Sequence, residues 1–358
     1  MADILSVGID IGTSTTQVIF SRIAMENTGG YFSVPRVAIV EKQGVYKSKI
    51  YITPLKTPVL IDGAAVRDIV AREYKAAGYT PANVDTGAVI ITGESARKEN
   101  AAEMLARLSD FAGEFVVSTA GPDLESIIAG KGSGAWQYSM DNACGTVNLD
   151  IGGGTTNIVV FQDGETVAKG CLDIGGRLIR VNENLVVESI SPAAQEIANA
   201  VGASIKVGAR TTYRELSAVT DKMADLLAQA LGLQPQEPLL RKIQTPESSW
   251  LQSVGKIKAI CFSGGVADCI GAEAEGVPYG DIGILLGRSI RKGVLYNTLP
   301  CIAGSETIRA TVVGAGTYTT SISGSTIDYA EGMLPMKNIP ALRERQGSAG
   351  KTVSSGMD

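Results

Sequence analysis

Residues 7–20 read VGIDIGTSTTQVIF, and residues 147–161 repeat the pattern as VNLDIGGGTTNIVVF. Each copy has a short apolar run, an aspartate, a turn of glycine and threonine, and a second apolar run, which is typical of a β-hairpin. The two aspartates, Asp10 and Asp150, occupy the same place in the copies and lie 140 positions apart. The repeat therefore predicts two lobes of comparable size, each opened by one hairpin.

The turns of the two hairpins have the composition of a phosphate-binding site. A nucleoside triphosphate held between two lobes needs backbone N–H groups directed at its phosphates from both sides, and glycine permits the close approach. Asp10 and Asp150 end their strands at the predicted cleft, where two hard carboxylates suit Mg²⁺. The alternative is that both aspartates only cap their turns. The residues predicted to line the phosphates are Gly12, Thr13, Ser14, Gly152, Gly153, Gly154 and Thr155.

A third glycine cluster follows an apolar run at residues 260–268, which read ICFSGGVAD. A strand that runs into Gly264-Gly265 and then into a stretch compatible with a helix can lay its backbone flat against an adenine ring. Ser263, Gly264 and Gly265 are therefore predicted to line the adenosine. Taken alone, the cluster is an ordinary strand–helix turn; its position after the two hairpins makes it specific.

In this order, the three motifs resemble the phosphate-1, phosphate-2 and adenosine motifs of the actin, sugar-kinase and heat-shock-chaperone superfamily. The resemblance implies an α/β actin-like ATPase fold, with two ribonuclease-H-like lobes flanking a nucleotide cleft that binds ATP and Mg²⁺. It extends to two connecting helices, at residues 122–129 and around residues 309–316. It implies that Glu125 orients the attacking water and that Asp10 and Asp150 hold Mg²⁺ through water.

Longer stretches narrow the resemblance to the reactivating factors of cobalamin-dependent eliminases, and among them to the ethanolamine ammonia-lyase reactivating factors. The similar stretches are residues 85–100, 120–132, 171–179 and 305–316. The resemblance implies a chaperone-like partner of ethanolamine ammonia-lyase that uses ATP to exchange damaged cobalamin for adenosylcobalamin in ethanolamine catabolism. It places the protein in the cytoplasm, leaves association with a bacterial microcompartment open, and leaves a homodimer open as the assembly.

Composition restricts the chemistry of the chain. Its 358 residues contain no histidine, which excludes Ser-His-Asp and Cys-His catalysis, imidazole-based zinc sites and a histidine ligand to cobalt. A net charge of −5 gives no electrostatic reason to expect nucleic acid or an anionic membrane as a partner. No apolar run approaches the roughly 20 residues that span a bilayer. The five cysteines form no CxxC pair and are predicted to be buried thiols.

Three other functions are compatible with the predicted fold. A small-molecule kinase needs a carboxylate base beside a shaped substrate pocket, and no distinct sugar-recognition cluster is present. A filament-forming actin-like protein would polymerise with nucleotide. An iron–sulfur activator needs paired cysteines at a subunit interface, which the cysteine spacing disfavours. For the reactivating factor, hydrolysis by the chain alone is expected to be slow, because neither an arginine finger nor a strong base can be named.

The lobes are predicted at residues 1–145, with a β-rich insertion near 25–60, and at residues 146–310, followed by a return segment at 311–336 and a polar tail at 337–358. Helices are predicted at residues 61–75, with Asp62 as N-cap, and at 95–108, 212–231 and 281–292, with a loop at 232–256. Glu94 is a candidate cleft residue, and Arg177 is either structural or directed at the nucleotide.

Overall fold

The computed structural model describes residues 2–12, 15–27, 37–57, 60–92, 115–119, 121–246, 248 and 256–318. Elements are numbered along this described part of the chain. It contains two large β-sheets with the same order of strand pairing, each carrying one of the two predicted hairpins at its centre. The repeat in the sequence is therefore confirmed as a repeat in the structure.

The first sheet has the order β3-β2-β1-β7-β8, and β4 also pairs with β2. The β1–β2 hairpin is antiparallel and aligns Asp10 with Gln17, while β7 runs parallel to both β1 and β8. The strands are β1 (Ala2–Ile11), β2 (Thr15–Asn27), β3 (Val37–Lys47), β4 (Tyr51–Ile52), β7 (Thr86–Ile91) and β8 (Phe115–Thr119). A separate small hairpin pairs β5 (Leu55–Thr57) with β6 (Leu60–Ile61), and α1 (Gly63–Ala77) and a 3₁₀ turn (Pro81–Asn83) follow it.

The second sheet has the order β11-β10-β9-β14-β15, with an antiparallel β9–β10 hairpin and β14 parallel to β9 and β15. Its strands are β9 (Gly145–Ile151), β10 (Thr156–Gln162), β11 (Glu165–Leu172), β14 (Ile257–Ser263) and β15 (Cys301–Ile302). A short ribbon pairs β12 (Ile179–Val181) with β13 (Val187–Ile190). The helices of this lobe are α4 (Pro192–Ala200), α5 (Tyr213–Ala230), α6 (Pro238–Lys242), α7 (Ala267–Ile270), α8 (Gly283–Lys292) and α9 (Val294–Thr298).

Each sheet has its own apolar core because the central strands are buried on both faces. In the first lobe, the Phe20 ring packs edge-on against Tyr74, with ring centres 4.9 Å apart, and also contacts Tyr46 and Tyr79. In the second lobe, every residue of β9 is buried, and α5 packs against α8 over the same core. The two cores position the strand ends that carry Asp10 and Asp150.

Two helices connect the lobes and cross one another. Helix α2 (Pro122–Gly132) follows the first sheet in the chain but packs on β9, β10 and β11 of the second, while α10 (Ala310–Tyr318) follows the second sheet but packs on β1 and β7 of the first. At the crossing, a Cβ on Gly132 would stand 1.8 Å from the Ala310 carbonyl oxygen, and one on Gly314 would stand 2.0 Å from that of Ile128. Only glycine permits this approach. Helix α3 (Ala135–Asp141) leads from α2 into β9.

Most of the predicted elements are confirmed. The side chain of Asp62 accepts a hydrogen bond from the Ala65 N–H and caps α1, and α5 and α8 occupy the predicted stretches 212–231 and 281–292. The segment 25–60 differs from the expected insertion, because its residues 37–47 form the edge strand β3, the counterpart of β11. The predicted loop 232–256 contains the short helix α6.

Other predictions lie outside the described residues, namely the helix at 95–108, Glu94 and the polar tail. All five cysteines are free thiols; Cys171, Cys261 and Cys269 are buried as predicted, but Cys144 is half-buried and Cys301 is exposed. Among the helices that the structure describes, none combines the length and apolar character that a membrane crossing requires.

Candidate functional site

A cavity of about 460 Å³ lies between the two sheets, at the ends of the strands that carry the hairpin turns. Its walls come from both lobes and from the two crossing helices. Ten predicted site residues line this cavity: Asp10, Gly12, Glu125, Asp150, Gly152, Gly153, Gly154, Thr155, Gly264 and Gly265. Thr13 and Ser14 lie outside the described residues. The motifs that are far apart in the sequence are therefore brought together in one cleft.

Asp10 is buried at the end of β1 and forms part of the cavity wall. The Thr92 hydroxyl, just after the parallel strand β7, donates a hydrogen bond of 2.9 Å to Asp10 Oδ1. Burial raises the pKa of Asp10 to about 7; the Thr92 hydrogen bond opposes this rise, and the charge of Asp150 adds to it. A cation placed beside this carboxyl group would stabilise its ionised form.

Asp150 occupies the same position in the second lobe and is also buried. The Ser263 hydroxyl, at the end of β14, donates to Asp150 Oδ1 at 2.6 Å, and the Thr311 hydroxyl on α10 donates to Oδ2 at 3.4 Å. Burial raises the pKa of Asp150, and these two hydroxyl groups oppose the rise. Each lobe thus has an aspartate whose carboxylate is held by a hydroxyl group from the neighbouring parallel strand.

Ser263 is placed differently from the expectation that it lines the adenosine. The structure buries it behind Asp150, where its hydroxyl donates to the carboxylate and accepts a hydrogen bond of 3.0 Å from the Asn148 amide. Gly264 and Gly265 do line the cavity. Gly264 has φ +81°, and a Cβ there would stand 2.4 Å from the Ile151 carbonyl oxygen, so this turn requires glycine.

In each hairpin turn, one backbone N–H group donates a hydrogen bond within the turn itself. Gly12 donates to the Thr15 carbonyl at 2.8 Å, and Gly152 donates to the Thr155 carbonyl at 2.9 Å, so the two turns close in the same way. Gly153 and Gly154 line the cavity, and within the described chain their N–H groups have no backbone acceptor. These two N–H groups are therefore available to a phosphate.

The far end of the cavity, in the second lobe, combines polar and apolar groups. Arg177 pairs with Asp281 at 3.3 Å, and Asp281 also accepts the Gly283 N–H at 2.9 Å. Burial raises the pKa of Asp281, while the Gly283 and Arg177 hydrogen bonds oppose the rise. The exposed ring of Tyr279 and the side chain of Ile284 complete this wall. Arg177 thus lines the cavity in an ion pair.

Glu125 lies near the start of α2, where the helix enters the cleft, and is buried in the cavity wall. Gln17 aligns with Asp10 across the first hairpin. Its amide donates to the Ile308 carbonyl at 3.3 Å, while Gln17 Oε1 is buried without a hydrogen-bond partner in the structure described. An unpaired buried acceptor on the wall of a polar cavity indicates that water or a ligand group belongs there.

The sequence did not identify Gln17, Thr92, Asp281 and Thr311 as site residues. Thr92 follows the end of β7, and Asp281 precedes α8. Cleft residues often occur at such positions, but neither residue has a second copy in the sequence that marks it. No group of three or more Cys, Asp and Glu residues in the described ranges is arranged to hold a metal. Two carboxylates with water as the remaining ligands match the modest protein ligation of Mg²⁺.

Comparisons with known proteins agree over nearly the whole chain. Residues 2–356 match the family described as Ethanolamine utilisation protein EutA. The chain is 37% identical over 347 residues to a Salmonella typhimurium protein named ethanolamine ammonia-lyase reactivase EutA, covering 94% of this chain and 72% of that protein. It is 38% identical over 341 residues to the Escherichia coli protein of the same name, with the same coverage.

Among solved structures, the Aquifex aeolicus member of the Ppx/GppA protein family superposes with a TM-score of 0.50 at 15% identity, covering 90% of this chain and 100% of that chain. At this identity the likeness concerns the fold alone. The fold is the α/β actin-like ATPase fold that the resemblance of the three glycine motifs implies.

Proposed function

The chain belongs to the ethanolamine utilisation protein EutA family, and from that premise we propose that it is an ATP-dependent reactivating factor for ethanolamine ammonia-lyase. It would open the inactivated lyase, release damaged cobalamin and allow adenosylcobalamin to enter. The observation that carries this proposal is the identity of 37–38% to two ethanolamine ammonia-lyase reactivases over 94% of the chain.

The cleft supports the nucleotide dependence of this function. Asp10 and Asp150 are buried with raised pKa values, and in the part of the chain that the structure describes their side chains accept hydrogen bonds from hydroxyl groups and pair with no lysine or arginine. Buried carboxylates without a cationic partner fit a bound Mg²⁺, and the unpaired Gln17 Oε1 fits a water of its coordination shell. Mg²⁺ bound there would neutralise charge that develops on the phosphates during hydrolysis.

Each group of residues in the cleft would have its own role in binding and hydrolysing ATP. Gly153 and Gly154 direct N–H groups to the phosphates, and Gly264 and Gly265 let the backbone approach the adenosine. Glu125 orients the attacking water. Glu125, Asp10 and Asp150 would thus form the catalytic set, with Mg²⁺ held by Asp10 and Asp150.

Coupling to the lyase follows from the two-lobed architecture. The cleft walls come from both lobes, so nucleotide binding favours one angle between the lobes over another. Nucleotide can act on the lyase only to the extent that the lyase binds one of these arrangements more tightly. The protein would work in the cytoplasm. Whether it joins a bacterial microcompartment stays open, and a homodimer is the assembly to test first.

The decisive experiment is recovery of activity. Ethanolamine ammonia-lyase inactivated with cyanocobalamin is mixed with the protein, adenosylcobalamin and Mg²⁺, with and without ATP. Recovery is expected only with ATP, and Asp10→Ala and Asp150→Ala should abolish it. Recovery without ATP would contradict the proposed nucleotide dependence. ATP binding without any recovery would contradict the proposed partner.

A further inference from the structure

An exposed apolar cluster lies at the mouth of the cleft in the first lobe. Three of the eight large apolar side chains that are exposed in the described part of the chain lie between residues 50 and 55. Ile52 is 75% exposed, and Ile50 and Leu55 are each 43% exposed. Single exposed apolar residues are ordinary, but three of them within six positions make this segment a candidate binding surface.

The same segment carries positive charge. Residues 47–57 read KSKIYITPLKT, with three lysines and no acidic residue, in a chain whose net charge is −5. Lys47 pairs with Glu306 of the second lobe, while Lys49 and Lys56 are exposed beside the apolar cluster. Such a surface fits a partner surface that is apolar at its centre and acidic at its edge. It disfavours a symmetric dimer in which two copies of this segment face each other, since the two segments would repel each other.

The segment is joined to the phosphate hairpin by hydrogen bonds. The Thr53 hydroxyl donates to the Gly12 carbonyl at 2.8 Å and lies 3.2 Å from the Thr16 hydroxyl. Strand β4 pairs with β2 so that Ile52 aligns with Thr15, directly after the turn. A change in the turn on nucleotide binding therefore reaches the exposed cluster through one strand pair.

It is also joined to the second lobe across the cleft. The Arg309 guanidinium donates to the Ser48 carbonyl at 3.1 Å, next to the Lys47–Glu306 ion pair. Arg309 immediately precedes α10, which contributes Thr311 to the Asp150 carboxylate. The position of this segment thus depends on both the nucleotide turn and the angle between the lobes.

We propose that residues 49–56 are the surface that docks on ethanolamine ammonia-lyase, with Ile52 and Leu55 as the apolar centre and Lys49 and Lys56 as the charged edge. This inference rests on the proposed function. The lyase surface that it contacts is apolar with an acidic rim. Because the segment touches the phosphate turn and the second lobe, the affinity for the lyase depends on the nucleotide in the cleft.

The test measures binding of the full chain to purified, cyanocobalamin-inactivated lyase by biolayer interferometry, in Mg·ATP and without nucleotide. Ile52→Asp and Leu55→Asp are expected to weaken binding at least tenfold and to lower reactivation to the same extent. Lys49→Glu with Lys56→Glu should weaken binding most at low salt, because surface charge pairs are screened by salt. The matched control is Val207→Asp, a side chain that is 61% exposed in the second lobe. It should bind as the wild type does.

Nucleotide binding separates this proposal from the proposed function. Ile52→Asp should bind a fluorescent ATP analogue as tightly as the wild type, which shows that the variant is folded and its cleft intact. Wild-type protein that neither binds nor reactivates the lyase would overturn the proposed function and this surface with it. Wild-type reactivation with undiminished Ile52→Asp binding would overturn the surface alone. The surface would also be overturned if Ile52→Asp left lyase binding unchanged and abolished self-association, or binding to vesicles containing anionic lipid.

Discussion

Replacing Ser263 by alanine tests whether the hydroxyl behind Asp150 maintains the carboxylate that is proposed to hold Mg²⁺. The Ser263 hydroxyl donates to Asp150 Oδ1 at 2.6 Å inside a buried site. Only the ionised carboxylate binds Mg²⁺, and burial already raises the pKa of Asp150. A hydrogen bond to a charged group contributes about 1.5–3 kcal/mol. Its loss makes ionisation harder by that amount, which corresponds to about a 10- to 100-fold weaker affinity for Mg·ATP near neutral pH.

The neighbouring hydroxyl groups should rank by their geometry. Thr92 donates to Asp10 at 2.9 Å, so Thr92→Val should weaken Mg·ATP binding by an amount approaching that of Ser263→Ala. Thr311 donates to Asp150 at 3.4 Å, and a bond of that length is weak, so Thr311→Val should weaken binding by less than about threefold. The order expected from the distances is Ser263, then Thr92, then Thr311.

The assay is titration calorimetry of ATP at several fixed Mg²⁺ concentrations. Because the deficit of Ser263→Ala is a cost of ionisation, it should shrink as the pH is raised, whereas a misfolded site would not recover. Ser263→Ala also removes the acceptor of the Asn148 amide, so the urea midpoint of each variant is measured as a control for stability. Wild-type affinity in Ser263→Ala, or a larger loss in Thr311→Val, would refute the reasoning.

Three further predictions concern stability, pH and hydrolysis. Gly132→Ala should lower the free energy of unfolding by about 1–3 kcal/mol or more in urea denaturation, because its Cβ meets the Ala310 carbonyl at 1.8 Å; Gly271→Ala, with nothing nearer than 3.8 Å, is the matched control and should change it little. Burial raises the pKa of Asp10 from 3.8 to about 7, so the folded chain binds this proton more tightly than the unfolded chain does. The contribution of Asp10 to stability without nucleotide is greatest below pH 3.8 and is lost as the pH rises to about 7, and Asp10→Asn should remove this slope in urea titrations at stepped pH. Glu125→Gln should slow ATP hydrolysis about 100-fold or more in a phosphate-release assay and leave ATP binding near the wild-type value, because only the orientation of water is lost; equal losses of both would assign Glu125 to binding.

The sequence predicted the parts of the site that repeat. Asp10 and Asp150 were identified because each stands at the same offset in a hairpin, and the hairpin pattern is a local property of about 14 residues. The glycines were identified because their turns need them. The repeat itself predicted two lobes, and the actin-like fold class followed from the resemblance of the three glycine motifs, in their order, to those of a known superfamily.

The parts that were missed are contacts between distant segments. Thr92 is 82 positions from Asp10, and Thr311 is 161 positions from Asp150, so no local pattern marks either hydroxyl as a site residue. Ser263 was assigned to the adenosine by its place beside Gly264, but the alternation of side chains along β14 turns it inward to Asp150. Strand β3 was assigned to an insertion because its partners in the sheet cannot be read from its own residues.

The structure joins the state of the cleft to the angle between the lobes through side chains rather than through the helices alone. Helix α10 packs on the first sheet, yet its Thr311 reaches the Asp150 carboxylate of the second lobe, while α2 packs on the second sheet and brings Glu125 into the same cleft. Because the two helices touch backbone to backbone at Gly132 and Gly314, they cannot slide past one another without moving these groups. Rotation of the lobes therefore changes the surroundings of Asp150 and Glu125 together, and the proposed hydrolysis of ATP should depend on the angle between the lobes.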